Sequence, residues 1–387
     1  MLEMNGIICY IPEKQEPTDN FIIMPEKKQK RTELARKLQQ DIYSKELRAG
    51  DSIGSIRRLA MRYHTTPLTI SRMLNDLVDT GILCRDKKGS CRVLTDPPTK
   101  PHLGYAGVPL LPSSSMECLM QDAVRKCFNE LDRLGVPPEI IGYHELSDPE
   151  IVRTRLKNIN GLIFHDSFLD EKTSLTLSQL NIPIVRVGQA LPKYSKFSSS
   201  EVVQFFDPAL QEFARYCDLK SYRRIVIVYS LYWNSIRLAK TLKHFLHDLN
   251  ADDRLEMMAM PKNASAAAEL YAFCHFRKLD GIDWNDTLLI STSGYFSRGI
   301  CRALADRGEL PDILSIDNLD GYEKSTFFEE PYLTAIDRCM GRIFRDAARL
   351  LYDQVKSGDE RKVIIKVPAK LIIRKSIRHI NPEWKER

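Results

Sequence analysis

The sequence predicts an α/β protein in which a small helical unit with a β-hairpin precedes two doubly wound parallel sheets. The length of 387 residues exceeds what one hydrophobic core usually supports. Signals for helix, tight turn, helix and hairpin follow one another between residues 27 and 95. Beyond residue 101, short apolar runs alternate with helical patterns, and strands that alternate with helices favour parallel sheets.

The composition is that of a folded protein, with 43% hydrophobic and 28% charged residues. The nine cysteines are scattered singly without a CxxC pair, which favours reduced thiols in a cytoplasm. No apolar run approaches the roughly 20 residues of a membrane span, and charged residues interrupt the first 25 residues, where a signal peptide needs an apolar core. We therefore expect a cytoplasmic protein without a membrane partner.

The net charge of +6 is concentrated near the N-terminus. Residues 26–100 carry 17 Lys and Arg against 9 Asp and Glu, whereas the residues after 100 carry 39 against 38. A basic excess of this kind is typical of a module that binds phosphates, although an ordinary basic domain remains an alternative on charge alone.

The elements of residues 27–95 predict a winged helix-turn-helix, preceded by a poorly ordered or strand-like leader at 1–26. Apolar residues at helical spacing predict a first helix that ends at Gly50. A second helix is predicted over 55–63 with Ser55 as its N-cap, and a third over 67–81 with Thr66 as its cap. Strand signals at 82–85 and 91–94 flank a polar turn and predict the wing hairpin.

A proline-rich segment at 96–101 predicts a linker, and residues 102–380 predict two lobes. The predicted strands are 103–108, 140–143, 161–164, 182–187, 225–228, 255–260, 287–291 and 313–316. The predicted helices are 116–134, 151–156, 236–249, 264–276 and 299–307. Two successive series of this kind indicate two doubly wound lobes.

Residues 32–93 resemble the DNA-binding domain of the GntR family in the segments LRAGDSI (47–53), SIRRLA (55–60), TISRMLNDL (69–77) and GIL (81–83). The resemblance implies that the third helix enters the major groove and that the wing follows the adjacent minor groove or backbone. The residues implied to contact DNA are Arg57, Arg58, Thr65, Thr66, Leu68, Thr69, Ser71 and Arg72 on the helices, and Arg85, Lys87, Lys88 and Ser90 on the wing. The strongest candidates are Arg57 and Arg72; the alternative is that these arginines form only a solvated face.

Two departures from the GntR pattern bear on how DNA is read. Pro67 stands where the family often has Arg, and the wing lacks the usual second glycine. Direct base readout is therefore expected to be weaker or differently placed.

Residues 102–376 resemble the effector domain of the LacI/GalR family, which is similar to periplasmic sugar-binding proteins. The motifs include GLIF (161–164), IPIVRVG (182–188), YRRIVIV (222–228), PYLTAI (331–336) and PAKLIIRKS (368–376). Together with the GntR-type segment they resemble the arabinose-repressor subgroup. The implied architecture is a two-lobed, periplasmic-binding-protein-like domain of type I.

The resemblance implies that a small-molecule effector, a sugar or sugar phosphate, binds between the lobes beyond the carboxyl ends of the strands. Aromatic rings offer faces for sugar rings, and charged groups offer bidentate hydrogen bonds to hydroxyls. The residues implied to line the pocket are Ser113, Ser115, His165, Asp166, Phe168, Trp233, Ser235, Arg237, Ser293, Tyr295 and Asp320. Ser293-Gly294 stands where sugar-binding members have Asn-Asp, so the ligand is expected to differ from a simple pentose or hexose.

The resulting expectation is a homodimeric repressor of sugar-utilisation genes that binds a double-stranded DNA operator and changes its affinity when effector closes the cleft. No cofactor and no metal is expected, since His244 and His247, and Cys274 and His275, lack the spacing of a zinc site. The sequence also lacks a Walker loop, a GxGxxG motif after a strand, an HExxH motif and a nucleophile elbow of the GxSxG type at a strand-to-helix turn. The alternatives are a constitutive DNA-binding protein whose large domain only dimerises, and a sugar-active enzyme.

Overall fold

The computed structural model of the chain describes residues 34, 37–38, 41–42, 47–79, 82–87, 89–94, 101–107, 117–136, 138–142, 145–146, 148, 150–151, 156, 159–166, 169–188, 197–260, 267–279, 281–305, 307–308, 310–322 and 327–385. The chain divides into two compact units, Met1–Pro97 and Pro98–Arg387. The leader predicted at 1–26 and most of the linker predicted at 96–101 lie outside the described residues.

The described residues form fourteen named strands and ten named α-helices. The strands are β1 Leu83–Arg85, β2 Cys91–Val93, β3 Leu103–Gly107, β4 Glu139–Gly142, β5 Gly161–His165, β6 Ile184–Val187, β7 Ser200–Phe205, β8 Arg224–Ser230, β9 Leu255–Met260, β10 Thr287–Ser291, β11 Asp312–Ile316, β12 Thr334–Asp337, β13 Ile364–Pro368 and β14 Lys370–Ile372. The helices are α1 Ile56–Arg62, α2 Pro67–Asp79, α3 Glu117–Arg133, α4 Glu171–Gln179, α5 Asp207–Tyr216, α6 Trp233–Asp248, α7 Ala268–Phe276, α8 Gly294–Ala305, α9 Met340–Ser357 and α10 Pro382–Lys385.

The first unit is a three-helix winged fold around a small apolar core. Its first helix is described only at residues 34, 37–38 and 41–42, which are helical. Strands β1 and β2 pair antiparallel, with Leu83 opposite Val93, and form the wing. The core joins all three helices and the wing through Leu38, Ile42, Leu59, Ala60, Ile70, Met73, Leu74, Leu77, Leu83, Cys91 and Val93.

The second unit contains two six-stranded sheets, one in each lobe. The first lobe has the order β13-β7-β6-β5-β3-β4, in which every pairing is parallel. The second lobe has the order β14-β12-β11-β10-β8-β9, in which only the edge strand β14 runs antiparallel. Each sheet is buried between two apolar clusters, as the near-continuous apolar strands require.

The chain crosses between the lobes three times. It passes from the first sheet to the second between β7 and α5, returns between β12 and α9, and crosses again between β13 and β14. Helix α9 therefore packs against α3 in the first lobe, through buried residues such as Ile343 and Phe344. The parallel strands of each sheet end on one edge of that sheet, and three segments connect the two lobes. In doubly wound sheets, ligands bind beyond this edge.

Candidate functional site

The helix-turn-helix of the first unit is built by two side-chain caps. The Ser55 hydroxyl accepts a hydrogen bond from the backbone N–H of Arg58, with a distance of 3.3 Å, at the start of α1. His64, with φ of 49°, turns the chain, and Thr66 Oγ1 accepts from the N–H of Thr69 at 3.2 Å as α2 begins. Both predicted caps are confirmed, and they set where the two helices start.

One face of this motif is exposed and basic. Arg57 and Arg58 on α1 and Arg72 on α2 are exposed, and they form no ion pair with any residue that the structure describes. The opposite face of α2 is buried through Ile70, Met73, Leu74 and Leu77. Three exposed guanidinium groups that no described carboxylate neutralises are suited to contact a polyanion.

The other predicted residues of α2 lie on or beside this face. Thr66 and Leu68 are exposed, and 60% of the Leu68 surface is accessible. Thr65, Thr69 and Ser71 are half-buried. An exposed leucine at this place does not belong to the core of the unit, and apolar side chains can contact thymine methyl groups in a major groove.

The wing is anchored to α2 by an arginine. Arg85 donates to Asn75 Oδ1 at 2.6 Å and to the Gly89 carbonyl at 3.1 Å. Lys87 and Ser90 are exposed at the tip, while Lys88 lies outside the described residues. Sequence reasoning missed Asn75, because no local signal relates it to an arginine ten positions further on.

In the second unit, His165 and Asp166 follow one another at the carboxyl end of β5 and are both buried. Burial, together with the positive charge of Arg338, lowers the pKa of His165 to about 4, so the imidazole is neutral near pH 7. Its ring lies 5.6 Å from the ring of Phe344, measured between centroids.

Asp166 presents a buried carboxyl group at the end of β5. Only 2% of the residue is accessible, and its Oδ2 atom accepts no hydrogen bond from the described residues. Burial raises the pKa of Asp166 to about 7, against the opposing charges of Arg186 and Arg237. Arg237 lies on α6 in the second lobe, so its field reaches Asp166 across the cleft. A buried carboxyl with an unused oxygen is suited to receive a hydrogen-bond donor of a ligand.

In the second lobe, the predicted pocket residues Ser235 and Ser293 follow the carboxyl ends of β8 and β10 in the chain. Ser235 on α6 accepts from the N–H of Ser230 at 2.9 Å and exchanges a hydrogen bond with Thr292 at 2.7 Å between hydroxyl oxygens. Ser293 is half-buried and directly precedes α8. This arrangement joins the loops after both strands, so Ser235 holds the wall of the second lobe together.

An apolar contact crosses between the lobes beside these loops. Tyr295 on α8 and Leu319 form a buried cluster with Leu119, which α3 supplies from the first lobe. A Cβ atom at Gly294 would lie 2.7 Å from Cβ of Leu319, so the glycine allows this leucine to approach α8. The Ser293-Gly294 departure noted in the sequence therefore coincides with a close apolar contact at the cleft.

Asp320 is fully engaged inside the second lobe. Its Oδ1 accepts from Arg298 Nε at 3.0 Å, and its Oδ2 accepts from the N–H groups of Tyr332 and Leu333, each at 3.1 Å. Both side chains of the ion pair are buried. Contact between Asp320 and an effector stays a prediction. The observed hydrogen bonds hold the backbone of Tyr332 and Leu333 in place.

Arg338 lies in the segment that connects β12 to α9 between the lobes. It pairs with Asp317 through Nη2 and Oδ1 at 2.5 Å, and its charge also acts on His165 in the first lobe. The backbone of Asp317 has φ of 104°, a conformation that residues other than glycine rarely adopt. Burial raises the pKa of the Asp317 carboxyl. One arginine is thus electrostatically coupled to groups of both lobes.

Several predicted pocket residues lie outside the described part of the chain. Ser113, Ser115 and Phe168 are among them, and of Trp233 only the backbone at the start of α6 is described. Within the described residues, no group of three or more His, Cys, Asp or Glu side chains has a metal-binding arrangement. No described helix is long and apolar enough to cross a membrane.

Comparisons with known proteins match the two units separately. Residues 30–93 match the family described as bacterial regulatory proteins, gntR family. A stretch of 104 residues is 28% identical to the HTH-type transcriptional repressor PurR of Mannheimia succiniciproducens, and it covers 27% of this chain and 31% of that protein. The chain therefore matches under a third of the length of that curated relative.

Solved structures resemble the larger unit in fold. A LacI family transcriptional regulator from Enterococcus faecium with bound ribose has a TM-score of 0.56 at 16% identity, covering 72% of this chain and 100% of that one. The lac repressor dimer bound to operator and the anti-inducer ONPF has a TM-score of 0.57 at 14% identity, covering 72% and 95%. The chain joins a gntR-type helix-turn-helix segment to a unit with the two-lobed fold of LacI-family regulators.

Proposed function

We propose that this chain is a DNA-binding transcriptional repressor whose operator affinity changes when a sugar-like effector binds between the lobes of its larger unit. The observation that carries the proposal is the exposed trio Arg57, Arg58 and Arg72, none of which has an ion-pair partner among the described residues, on a segment that matches the gntR family. Cations of this kind can meet phosphates without first breaking an ion pair within the protein.

On this proposal the helices bring Thr65, Thr66, Leu68, Thr69, Ser71 and Arg72 to base edges or adjacent phosphates, and the wing brings Lys87, Lys88 and Ser90 to the backbone. Arg57 and Arg58 contact phosphates near the start of α1. Arg85 acts mainly by holding the wing against α2, since two of its nitrogens already donate to Asn75 and Gly89. Direct contact between Arg85 and DNA is secondary.

The effector is proposed to bind against Asp166 of the first lobe and Arg237 of the second lobe, whose charge acts on the Asp166 carboxyl. The remaining residues expected from the sequence, Ser113, Ser115, His165, Phe168, Trp233, Ser235, Ser293 and Tyr295, are proposed to complete its walls. The ribose bound by the Enterococcus faecium regulator supports a sugar-like ligand for this fold. Asp320 is proposed to act indirectly, by fixing the loop that carries Tyr332 and Leu333.

We propose that the chain works as a homodimer in the cytoplasm, where its DNA partner is found. The edge strands β4 and β9 expose Ile140 and Met257, and α7 exposes Leu270, with 52%, 38% and 58% of their surfaces accessible. Exposed apolar side chains on sheet edges are suited to a subunit interface. The solved lac repressor is a dimer on its operator. The matches to regulators favour a role without catalysis over a sugar-active enzyme.

The test is selection of duplexes from a random pool by the full-length protein, followed by titration of D-ribose, L-arabinose and their phosphate esters against the selected duplex. The proposal predicts one enriched sequence and a change in its affinity of about fivefold or more with one of these ligands. No enriched sequence would contradict the regulator. An enriched sequence that responds to no ligand would favour the constitutive DNA-binding alternative.

A further inference from the structure

The exposed side of helix α6 carries a row of basic side chains outside the cleft. Lys240, Lys243, His244 and His247 are all exposed, and with Asp252 they line a surface pocket of about 380 Å³. That volume lies in the range of small-molecule sites, about 300–1,000 Å³. Neither this pocket nor its two histidines has a place in the function proposed above.

Few carboxylates among the described residues pair with these basic side chains. Lys240 and Lys243 form no ion pair with any described residue, and the only carboxylate among the described residues of the pocket, that of Asp252, pairs with His247. The rings of His244 and His247 are stacked with centroids 6.3 Å apart. Like charges three and four positions apart on a helix destabilise it, so an anion among them would relieve repulsion.

Neither helix packing nor the helix dipole explains the whole row. The buried side of α6 is formed by Ala239, Leu242 and Leu246, which pack in the lobe core without help from the cations. A helix C-terminus favours positive charge only in its last turn, where His247 is the only basic residue of this helix. Lys240 lies two turns before the end at Asp248, so its position needs another reason.

A cation is a poor occupant of this pocket. Two ammonium groups would repel it, and the described residues contain no group of three or more side chains arranged to hold a metal. Ammonium groups and imidazole N–H groups are all hydrogen-bond donors, and lysine is a common phosphate ligand.

We propose that the α6 pocket binds a multivalent oxyanion, either free phosphate or the phosphate group of a small metabolite, at a site separate from the cleft. Lys240 and Lys243 supply the charge, and His244 supplies a directional donor. None of the residues that line the pocket is among those proposed to contact DNA or to line the cleft, so it is a second ligand site on the regulator.

The experiment is isothermal titration of the full-length protein with inorganic phosphate, and separately with ribose 5-phosphate, in potassium chloride at constant ionic strength. We expect saturable binding that weakens by about tenfold or more in the Lys240→Ala/Lys243→Ala variant. A matched control is Lys172→Ala/Lys220→Ala, which removes two exposed lysines elsewhere in the same unit and should bind as the wild type does.

The two probes distinguish the sources of the anion. Equal affinity for both probes assigns the pocket to free phosphate. Tighter binding of the ester that is lost in Lys240→Ala/Lys243→Ala assigns it to a metabolite, whereas tighter binding that this variant retains belongs to the cleft. A loss confined to Lys240→Ala/Lys243→Ala, with DNA affinity retained, supports the proposal. It is overturned if neither probe binds, if both double variants bind equally well, or if only duplex DNA binding falls in Lys240→Ala/Lys243→Ala.

Discussion

The carboxylate of Asp166 occupies the space that a side chain at position 188 would need. A Cβ atom built on Gly188 would lie 2.1 Å from Asp166 Oδ1, and the backbone of Gly188 has φ of 108°. Glycine is therefore required at the end of β6 for two reasons, its conformation and its contact with the buried acid. The two strand ends β5 and β6 are fitted to each other at the place where the effector is proposed to bind.

Gly188→Ala is expected to destabilise the protein well beyond the cost of its backbone conformation. Gly281→Ala is the matched control, because Gly281 also has positive φ, at 72°, but a Cβ atom placed there would meet no described atom within 4 Å. We expect Gly281→Ala to lower the free energy of unfolding by about 1 kcal/mol. Gly188→Ala should lower it by about 1–3 kcal/mol more than that. Urea unfolding of both variants measures the difference, and equal losses would show that Asp166 does not confine position 188.

The stability of the protein is expected to fall between pH 4 and pH 7 because of Asp166. Its folded pKa of about 7 lies above the value of an unfolded aspartate. In that window the native state holds a proton that the unfolded state has released, so stability decreases as pH rises, by up to about 1.4 kcal/mol per pH unit.

The measurement is the difference in unfolding free energy between the wild type and Asp166→Asn across this range. His165, whose pKa is lowered by burial, has the opposite pH dependence, but it is present in both proteins and largely cancels. The asparagine variant should lose the downward slope. Parallel curves for the two proteins would mean that Asp166 titrates as an ordinary surface carboxyl.

Arg85 and Asn75 are expected to behave as one unit in DNA binding. Because Arg85 donates to Asn75 at 2.6 Å, removal of either side chain releases the wing from α2. Arg85→Ala and Asn75→Ala should each weaken operator affinity by about 0.5–1.5 kcal/mol, and the double variant by little more. Lys87→Ala is the control, since Lys87 is exposed at the wing tip and its effect should add to that of Asn75→Ala. Additivity between Arg85→Ala and Asn75→Ala would contradict the coupling.

Asp320→Asn is expected to lower the stability of the folded protein. Breaking its buried pair with Arg298 should cost about 3–5 kcal/mol. Asp286→Asn is the comparison, because its pair with Arg223 is exposed and is worth under about 1 kcal/mol. Thermal unfolding measures both. A stable Asp320→Asn protein that no longer binds its effector would instead make Asp320 a direct ligand contact.

Local features of the fold could be predicted from the sequence because short-range physics determines them. Strands β9 and β10 have the predicted bounds, since each is an apolar run limited by polar or turn residues. The caps Ser55 and Thr66 form the predicted hydrogen bonds, because a cap and its helix are neighbours in the chain. The predicted start of α2 at residue 67 is likewise confirmed.

Non-local features could not be predicted in the same way. Periodicity identifies an amphipathic helix but not the sheet that it covers, so the return of α9 to the first lobe required the structure. The engagement of Asp320 by Arg298, 22 positions away, likewise leaves no mark in the sequence. The resemblance to the LacI/GalR family implied a place in the pocket for Asp320, and the internal hydrogen bonds of its carboxylate compete with that role.

Arg57 and Arg72 are proposed to meet DNA phosphates or bases from the exposed face of the helix-turn-helix. The direct measurement is the affinity of the full-length protein for its selected duplex as a function of salt, compared with Arg57→Ala/Arg72→Ala and with the control Arg361→Ala, an exposed arginine of the other unit. We expect a steep slope of log K against log salt that decreases by about 1 to 2 in the double variant and is unchanged in the control. An unchanged slope in Arg57→Ala/Arg72→Ala, or no salt-sensitive affinity for any duplex, would contradict it.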